Sequence, residues 1–352
     1  MHNGVKICLG CILMFWVGGI SYAQDFGTDK AARAFPFEVN DSVQVNVDLI
    51  SGTHGYPVGY AAHLETDVCS DDLCKPVSIT IRWDLLGQFT SYHTTDEHSL
   101  TKFDHIPLTE ADHDQLHGIL SDTAAVLRDY NVEDMIDTAV FLPSQQIDAV
   151  TRPTSLTFSA ATVEGALYTV YTLWHFTNGA IRARMKTYTR SLMSDDAVLK
   201  SMLASENRDY VRFVFQNLTT EQRNRLEKDI VKLVGSSDTY IPHFALAQLE
   251  DSLLSLPNIQ QQLLIYFPVA DNTLKNALLG RLASVPMDAN VMIVLLSSLS
   301  NLQEHHITKA LDIIENNKPR IDERIREKLE ILSRSQDRAI AQQARNTLSK
   351  IN

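Results

Sequence analysis

Two histidines have the spacing of a metal-binding pair. His113 and His117 stand four positions apart, which brings their rings to one face of a helix. Asp114 takes the position of the glutamate that completes a His-Glu-x-x-His zinc signature. Leu116 and Leu120 flank the same face, so the rings can also lie idle at the edge of a core. Both readings stay open, and the first predicts a metal-dependent hydrolase that uses His113 and His117.

The helix that carries this pair has a recognisable start. Thr109 is followed three residues later by Asp112, and a threonine with an acidic residue at this spacing forms a reciprocal capping box. The sequence therefore predicts a helix over 109–120.

A second stretch combines a carboxylate with several hydroxyls. It reads Asp148-Ala-Val-Thr-Arg-Pro-Thr-Ser155 and precedes a second predicted helix, over 162–177, which ends at Asn178-Gly179. The stretch resembles the Asp-x-x-Ser/Thr-Gly-Ala-Thr motif of the FMN-binding domain family, found in extracytoplasmic electron-transfer subunits. The wider likeness runs from Gly52 to Trp174.

The resemblance implies a covalent flavin. Thr154 would accept FMN through its phosphate, with Asp148, Thr151 and Ser155 in support, and the domain would serve electron transfer. Arg152 and Pro153 occupy the positions of the family's Gly-Ala. Proline removes a backbone donor that a phosphate-wrapping loop needs. A non-catalytic interaction or scaffold protein with a degenerate cofactor site is therefore the alternative, and whether the chain is an enzyme stays open.

The predicted helix over 162–177 is rich in rings. A ring-rich helix can form the wall of an isoalloxazine site or can be core, and the apolar stripe that includes Trp174 favours core. The aromatic set is Tyr168, Tyr171, Trp174, His175 and Phe176.

The start of the chain predicts export. Lys6 precedes an apolar run over 7–20, and small residues precede a cleavage point after Ala23, as in a secretory signal peptide. The run is shorter than the about 20 residues that span a bilayer. We therefore expect a periplasmic or secreted protein that does not itself span a membrane after cleavage.

Cys69 and Cys74 remain in the exported chain. In an oxidising compartment such a pair is most simply a disulfide. Half of a metal site is the rival reading, although no second cysteine pair is present to complete it.

Composition and periodicity divide the rest of the chain. The net charge of −12 lacks the basic footprint of a nucleic-acid binder. Strand-like alternation over 43–49 and 77–83, with a hairpin partner over 88–93 across Gly87, predicts an α+β domain over 24–189. Residues 190–352 read as successive helices with short linkers, which predicts an α-solenoid of the HEAT type, with a helical bundle as the alternative. A solenoid would dock a protein partner.

Overall fold

The computed structural model describes residues 30–67, 76–102, 105–136 and 156–351. The chain divides into two compact units, Met1–Tyr188 and Thr189–Asn352. Within the described ranges, no helix is both long enough and apolar enough to cross a membrane.

Unit 1 is built on a five-stranded antiparallel sheet whose strands lie side by side in chain order. Along β4 every second residue is buried, from Val77 to Trp83, as period-two alternation with one covered face requires. Gly87 turns the chain from β4 to β5 with a positive φ of 70°, which glycine adopts at little cost. The strands are β1 Lys30–Glu38, β2 Gln44–Ser51, β3 Pro57–Thr66, β4 Val77–Asp84 and β5 Phe89–His93.

The helices of unit 1 are α1 Glu110–Ser121, α2 Leu167–Asn178 and the first part of α3 Ala180–Leu192. Trp83, 2% exposed, packs edge-on against Phe176 of α2 at 5.7 Å between ring centroids. Its indole Nε1 donates to the Thr177 carbonyl at 2.9 Å. In α3 the Met185 carbonyl accepts from the Tyr60 hydroxyl at 3.4 Å. These contacts join residues about 100 positions apart across the core of the unit.

Several local predictions for unit 1 are confirmed. The Thr109 side chain caps α1 and Asp112 completes the capping box. β2, β4 and β5 occupy the expected positions. Strands β1 and β3 and helix α3 were not predicted.

The predicted start of α2 at 162 is wrong. The chain forms a 3₁₀ helix over Leu156–Ala161, and α2 begins at Leu167. Gly165 lies between them with a φ of 75°, and a residue in that conformation cannot belong to a right-handed helix.

In the described residues of unit 2, every secondary-structure element is a helix. The segments 221–234 and 242–254, each predicted as a single helix, are both interrupted. The first is interrupted at Leu226, and the second at Glu250, which has an extended backbone and precedes a new turn of helix. After α3 the helices are α4 Asp196–Ala204, α5 Arg208–Asn217, α6 Thr220–Arg225, α7 Glu227–Leu233, α8 Ile241–Gln248, α9 Asp251–Leu254, α10 Pro257–Tyr266, α11 Asn272–Ala283, α12 Ala289–Ser297, α13 Glu304–Asn316, α14 Glu323–Ser333 and α15 Arg338–Ile351.

These helices stack in two rows. In row A, helices α4, α7, α10, α12 and α14 each contact the next. In row B, helices α5, α8, α11, α13 and α15 do the same. Each member of row A is followed in sequence by one of row B, so the unit consists of five consecutive helix pairs.

The row A helices begin at Asp196, Glu227, Pro257, Ala289 and Glu323, so successive pairs start 30 to 34 positions apart. The guanidinium of Arg225 bonds Asp196, 29 positions away, and Lys350 pairs with Glu315, 35 positions away. The repeat is therefore shorter than the about 40 residues of HEAT repeats. Because each pair contacts its neighbours in order, unit 2 is an α-solenoid. The predicted fold class, an α+β domain followed by a helical-repeat domain, is confirmed.

Candidate functional site

The residues of the flavin-like motif lie outside the described residues. These are Asp148, Thr151, Thr154 and Ser155, and the same holds for Cys69 and Cys74. Ile136 is the last described residue before the motif, and Leu156 is the first after it.

Four aromatic side chains lie on the described residues on either side of the motif in the sequence. Tyr130 and Phe158 meet edge-on at 5.0 Å between centroids. On α2, Tyr171 and His175 are half-buried, with ring centroids 4.3 Å apart. We call these four residues the aromatic edge. Val132–Met135, a 3₁₀ turn, packs against the same helix.

The electrostatics of the aromatic edge disfavour charge on its rings. Burial raises the pKa of Tyr171, and the carboxylates of Glu133 and Asp134 raise it further. Burial lowers the pKa of His175, although a hydrogen bond at 3.0 Å from its Nε2 to the Leu127 carbonyl opposes that shift. At neutral pH the edge therefore presents a phenol and a neutral imidazole.

The remaining rings of α2 have a structural role. Trp174 is 3% exposed, and its Nε1 donates to the Asp122 carbonyl at 2.9 Å, next to the end of α1. Phe176 is buried against Trp83. The set named from the sequence thus divides into two core residues and three half-buried ones, Tyr168, Tyr171 and His175.

His113 and His117 both face strand β5. The Tyr92 hydroxyl lies 2.7 Å from His113 Nδ1, and the Phe89 ring lies 5.1 Å from that of His117. Burial lowers the pKa of His113, against the opposing charges of Asp112 and Asp114. In the described parts of the chain, no group of three or more histidine, cysteine, aspartate or glutamate side chains is placed to hold a metal ion. The pair gains no third ligand there.

The sheet carries a polar cluster that the sequence analysis did not single out. On the side chain of His63, Nδ1 lies 3.1 Å from the Thr80 hydroxyl, while Nε2 lies 3.4 Å from that of Ser78. Glu65 approaches the same Nε2 at 3.5 Å. The contacts are exposed and join side chains of the neighbouring strands β3 and β4, where His63 is paired with Thr80.

In unit 2, a groove of about 210 Å³ lies between helices α6 and α7 and the segment 248–256, which includes α9. Both signs of charge line it, from Arg223, Glu227 and Glu250. Arg223 is hydrogen-bonded to Gln248 across the groove. Because the Arg223 guanidinium is already hydrogen-bonded to Gln248, we assign no ligand to the groove.

Two neighbouring helices of row A, α10 and α12, carry no charged side chain. No ionisable acid or base occurs over 252–270 or 289–303, apart from Tyr266, in a chain that is 21% charged. Helices α10 and α12 lie within these stretches and contact each other. Their buried residues occupy one side, and the exposed ones therefore point away from the solenoid core.

Ile265 on α10 and Val294 on α12 are apolar and exposed, as is Val269 in the loop that follows α10. Ile265 is 71% exposed, Val269 85% and Val294 43%. We call the surface that they form with the exposed Gln261 and Ser297 the neutral stripe. It ends at α14, where the equivalent outer residues include Glu327 and Glu330. The charge gap is visible in the sequence, but only the helix pairing brings the two uncharged segments together.

No protein-family model and no curated protein matches this chain. Among solved structures, a designed armadillo repeat protein is similar with a TM-score of 0.27 and 15% sequence identity, over 50% of this chain and 96% of that chain. The assignment of unit 2 as a solenoid rests on the order of its helix contacts.

Proposed function

We propose that this chain is an exported interaction protein whose solenoid docks a segment of a partner protein at the neutral stripe. The observation that carries the proposal is the exposure of Ile265 and Val294 on two uncharged helices that contact each other, with Val269 exposed in the loop after the first of them. Exposed apolar groups that form one patch mark interaction sites, whereas the same groups scattered singly do not. Depletion of charge is typical of the core of a protein–protein interface.

The chemistry of the stripe defines its occupant. A charged side chain placed on it would lose hydration without gaining a counter-charge, which is costly. The backbone of the occupant must also satisfy its own hydrogen bonds, because apolar side chains offer none. An uncharged, apolar face of an α-helix meets both conditions.

The size of the stripe favours a single helix over a second copy of the chain. Helix α10 has 10 residues and is therefore about 15 Å long. Two neighbouring helices about 10 Å apart offer roughly 300 Å². A standard interface between two folded proteins buries about 800 Å² on each partner. One docked helix has a footprint closer to that of the stripe.

Site-specific photo-crosslinking of the full chain in its native host tests the proposal. A photo-reactive phenylalanine derivative replaces Ile265 in one sample and the exposed Gln342 of row B, as the matched control, in another. We expect an adduct with one other polypeptide from position 265 alone. Peptide mapping should place the crosslink in an uncharged helical segment, and Val294→Glu should abolish the adduct.

Three outcomes would overturn this assignment. One is an adduct of twice the mass of the chain, which identifies a second copy. Another is equal labelling from both positions. The third is an adduct that Val294→Glu leaves unchanged.

Flavin-based electron transfer at Thr154 is a second candidate function. The aromatic edge supports it, because its residues lie on either side of Thr154 in the sequence, and aromatic side chains suit a flat heterocycle. The protein would contribute position and polarity, while the redox chemistry would belong to the FMN.

Intact-mass measurement on natively exported protein, with Thr154→Ala alongside, tests this candidate. A covalent flavin adds the mass of one FMN less water and gives yellow colour that survives denaturation. Thr154→Ala should lose both, whereas Thr187→Ala, the control at an exposed threonine outside the motif, should keep them. A bare polypeptide mass for the unmodified sequence would exclude covalent flavin.

A further inference from the structure

One buried histidine lies at the contact between the third and fourth helix pairs. His306, on α13, is 0% exposed, and its Nε2 lies 3.3 Å from the carbonyl oxygen of Asn272 on α11. Helices α11 and α13 are neighbours in row B. The ring therefore lies at the contact between α11 and α13, which we call the joint.

The hydrogen bonds of this ring define its protonation state. Asn272 offers a carbonyl, which only accepts, so Nε2 carries the proton and Nδ1 has a lone pair. Nδ1 is buried and has no hydrogen-bond partner among the described residues. A second proton at Nδ1 would place a cation in the core with nothing to accept its N–H.

The charges around the ring are mainly positive. The ring of His305 lies against it, tilted by 43° and with 3.8 Å between ring centroids, and the charges of His305, Lys275 and Lys309 all act against its protonation. Helix α12 offers no ionisable group over 289–297. Those of α15, which also packs against α13, are all basic: Arg338, Arg345 and Lys350.

Acidic side chains are present on or next to these helices, but they are exposed or already paired with another residue. Asp271 and Glu304 are exposed, as is Asp312. Glu315 is paired with Lys350 at 2.9 Å. None of these carboxylates is recorded within hydrogen-bond distance of His306.

We propose that His306 makes the joint between α11 and α13 acid-labile, so that the solenoid opens at its third and fourth pairs when the pH falls. This inference is independent of the proposed docking function. It depends on a buried ring on row B, whereas the neutral stripe lies on row A.

The direction of the effect follows from the two states of the ring. Burial lowers the pKa of His306 below its ordinary value of 6.5, and the neighbouring cations lower it further. The opened joint binds the proton more readily than the closed one. The joint between α11 and α13 is therefore fully stable above pH 6.5. Its stability is lost as the pH falls below that value, towards the lowered pKa of His306. Over this window the equilibrium constant for opening rises by up to about tenfold per pH unit.

Hydrogen exchange of the full chain at several pH values from 7.5 to 5, corrected for intrinsic exchange rates, tests the proposal. We expect protection of α11 and α13 to fall by up to about tenfold per pH unit below 6.5, while α4 and α5 keep theirs. His306→Leu should remove this pH dependence. His305→Gln, at the exposed neighbouring position, should retain it.

Two results would overturn the proposal. One is an unchanged pH dependence of α11 and α13 in His306→Leu. The other is a direct titration of His306 by NMR in the unsubstituted protein that gives a pKa at or above 6.5. The second measurement needs no variant and decides the matter even if His306→Leu fails to fold.

Discussion

The two units of this chain are held together in different ways. In unit 1, Trp83 bonds a carbonyl 94 positions later, and Tyr60 bonds one 125 positions later. In unit 2, the hydrogen bonds between neighbouring pairs span about 30 positions, as between Arg208 and Asp238. Unit 1 has one core that forms as a whole, whereas the stability of a solenoid is approximately a sum over repeats and their contacts. A substitution should therefore act on all of unit 1 but locally in unit 2.

The largest expected effect is that of Trp83→Ala. The indole is fully packed and hydrogen-bonded, and truncating such a side chain costs about 3–5 kcal/mol. Urea unfolding should show this loss, and exchange protection should fall throughout strands β2 to β5. Tyr56→Ala, at a position 43% exposed, is the control and should cost much less. A loss confined to β4 would contradict the single-core description.

The matching test in unit 2 is Gln260→Ala. This amide is 0% exposed, and its Nε2 donates to the carbonyls of Leu254 and Pro286 at 2.8 and 2.9 Å. Removing it leaves buried carbonyls unpaired, which costs about 1–3 kcal/mol. Exchange protection should fall mainly in α10 and α12. Gln261→Ala, one position along on the exposed face, should be nearly neutral. Equal loss in α4 and α14 would show that the repeats are not independent.

A smaller effect is expected at the start of α1. The Thr109 hydroxyl accepts from the Asp112 amide in the capping box. Thr109→Ala should cost about 1 kcal/mol, as is usual for a lost N-cap, and Thr109→Ser should restore most of it. Chemical denaturation measures both. Equal stability of the alanine and serine variants would show that the cap does not contribute.

The smallest effect concerns acid stability in unit 2. A hydrogen bond from Arg208 lowers the pKa of Asp238 from 3.8 to about 2. The stabilisation by the Asp238 carboxylate is fully present above pH 3.8 and is lost as the pH falls towards about 2. Arg208→Met should raise the pKa of Asp238 towards 3.8, as NMR titration of the carboxyl carbon would show. Arg212→Met, which breaks only an exposed pair, should leave it unchanged. A pKa still near 2 in Arg208→Met would assign the shift to the backbone amides instead.

The parts of the fold that were predicted correctly depend on neighbouring residues. The capping box of α1 needs only Thr109 and Asp112, and the hairpin needs only Gly87 between two alternating segments. The late start of α2 and the break at Glu250 were missed, because apolar periodicity continues through both. Strand β3 was missed as well, although its alternation places Tyr60 and Leu64 in the core.

For the candidate sites, sequence and structure supply different information. The spacing of His113 and His117 predicted a shared face, but the partners on β5 come from pairing within the sheet. The neutral stripe combines two uncharged segments that are separated by a charged one. Only the row A contact joins them.

The amino-acid sequence by itself determined the division into an α+β half and a helical half, most helix ends, and the acidic charge of the chain. These follow from periodicity, caps and composition, which act over a few residues or over the whole chain at once. The tertiary structure alone decided which helices stack, that His306 is buried without an acceptor for a second proton, and that the helices that carry Ile265 and Val294 contact each other. Contacts between residues about 30 or 100 positions apart depend on packing complementarity, which no local pattern encodes.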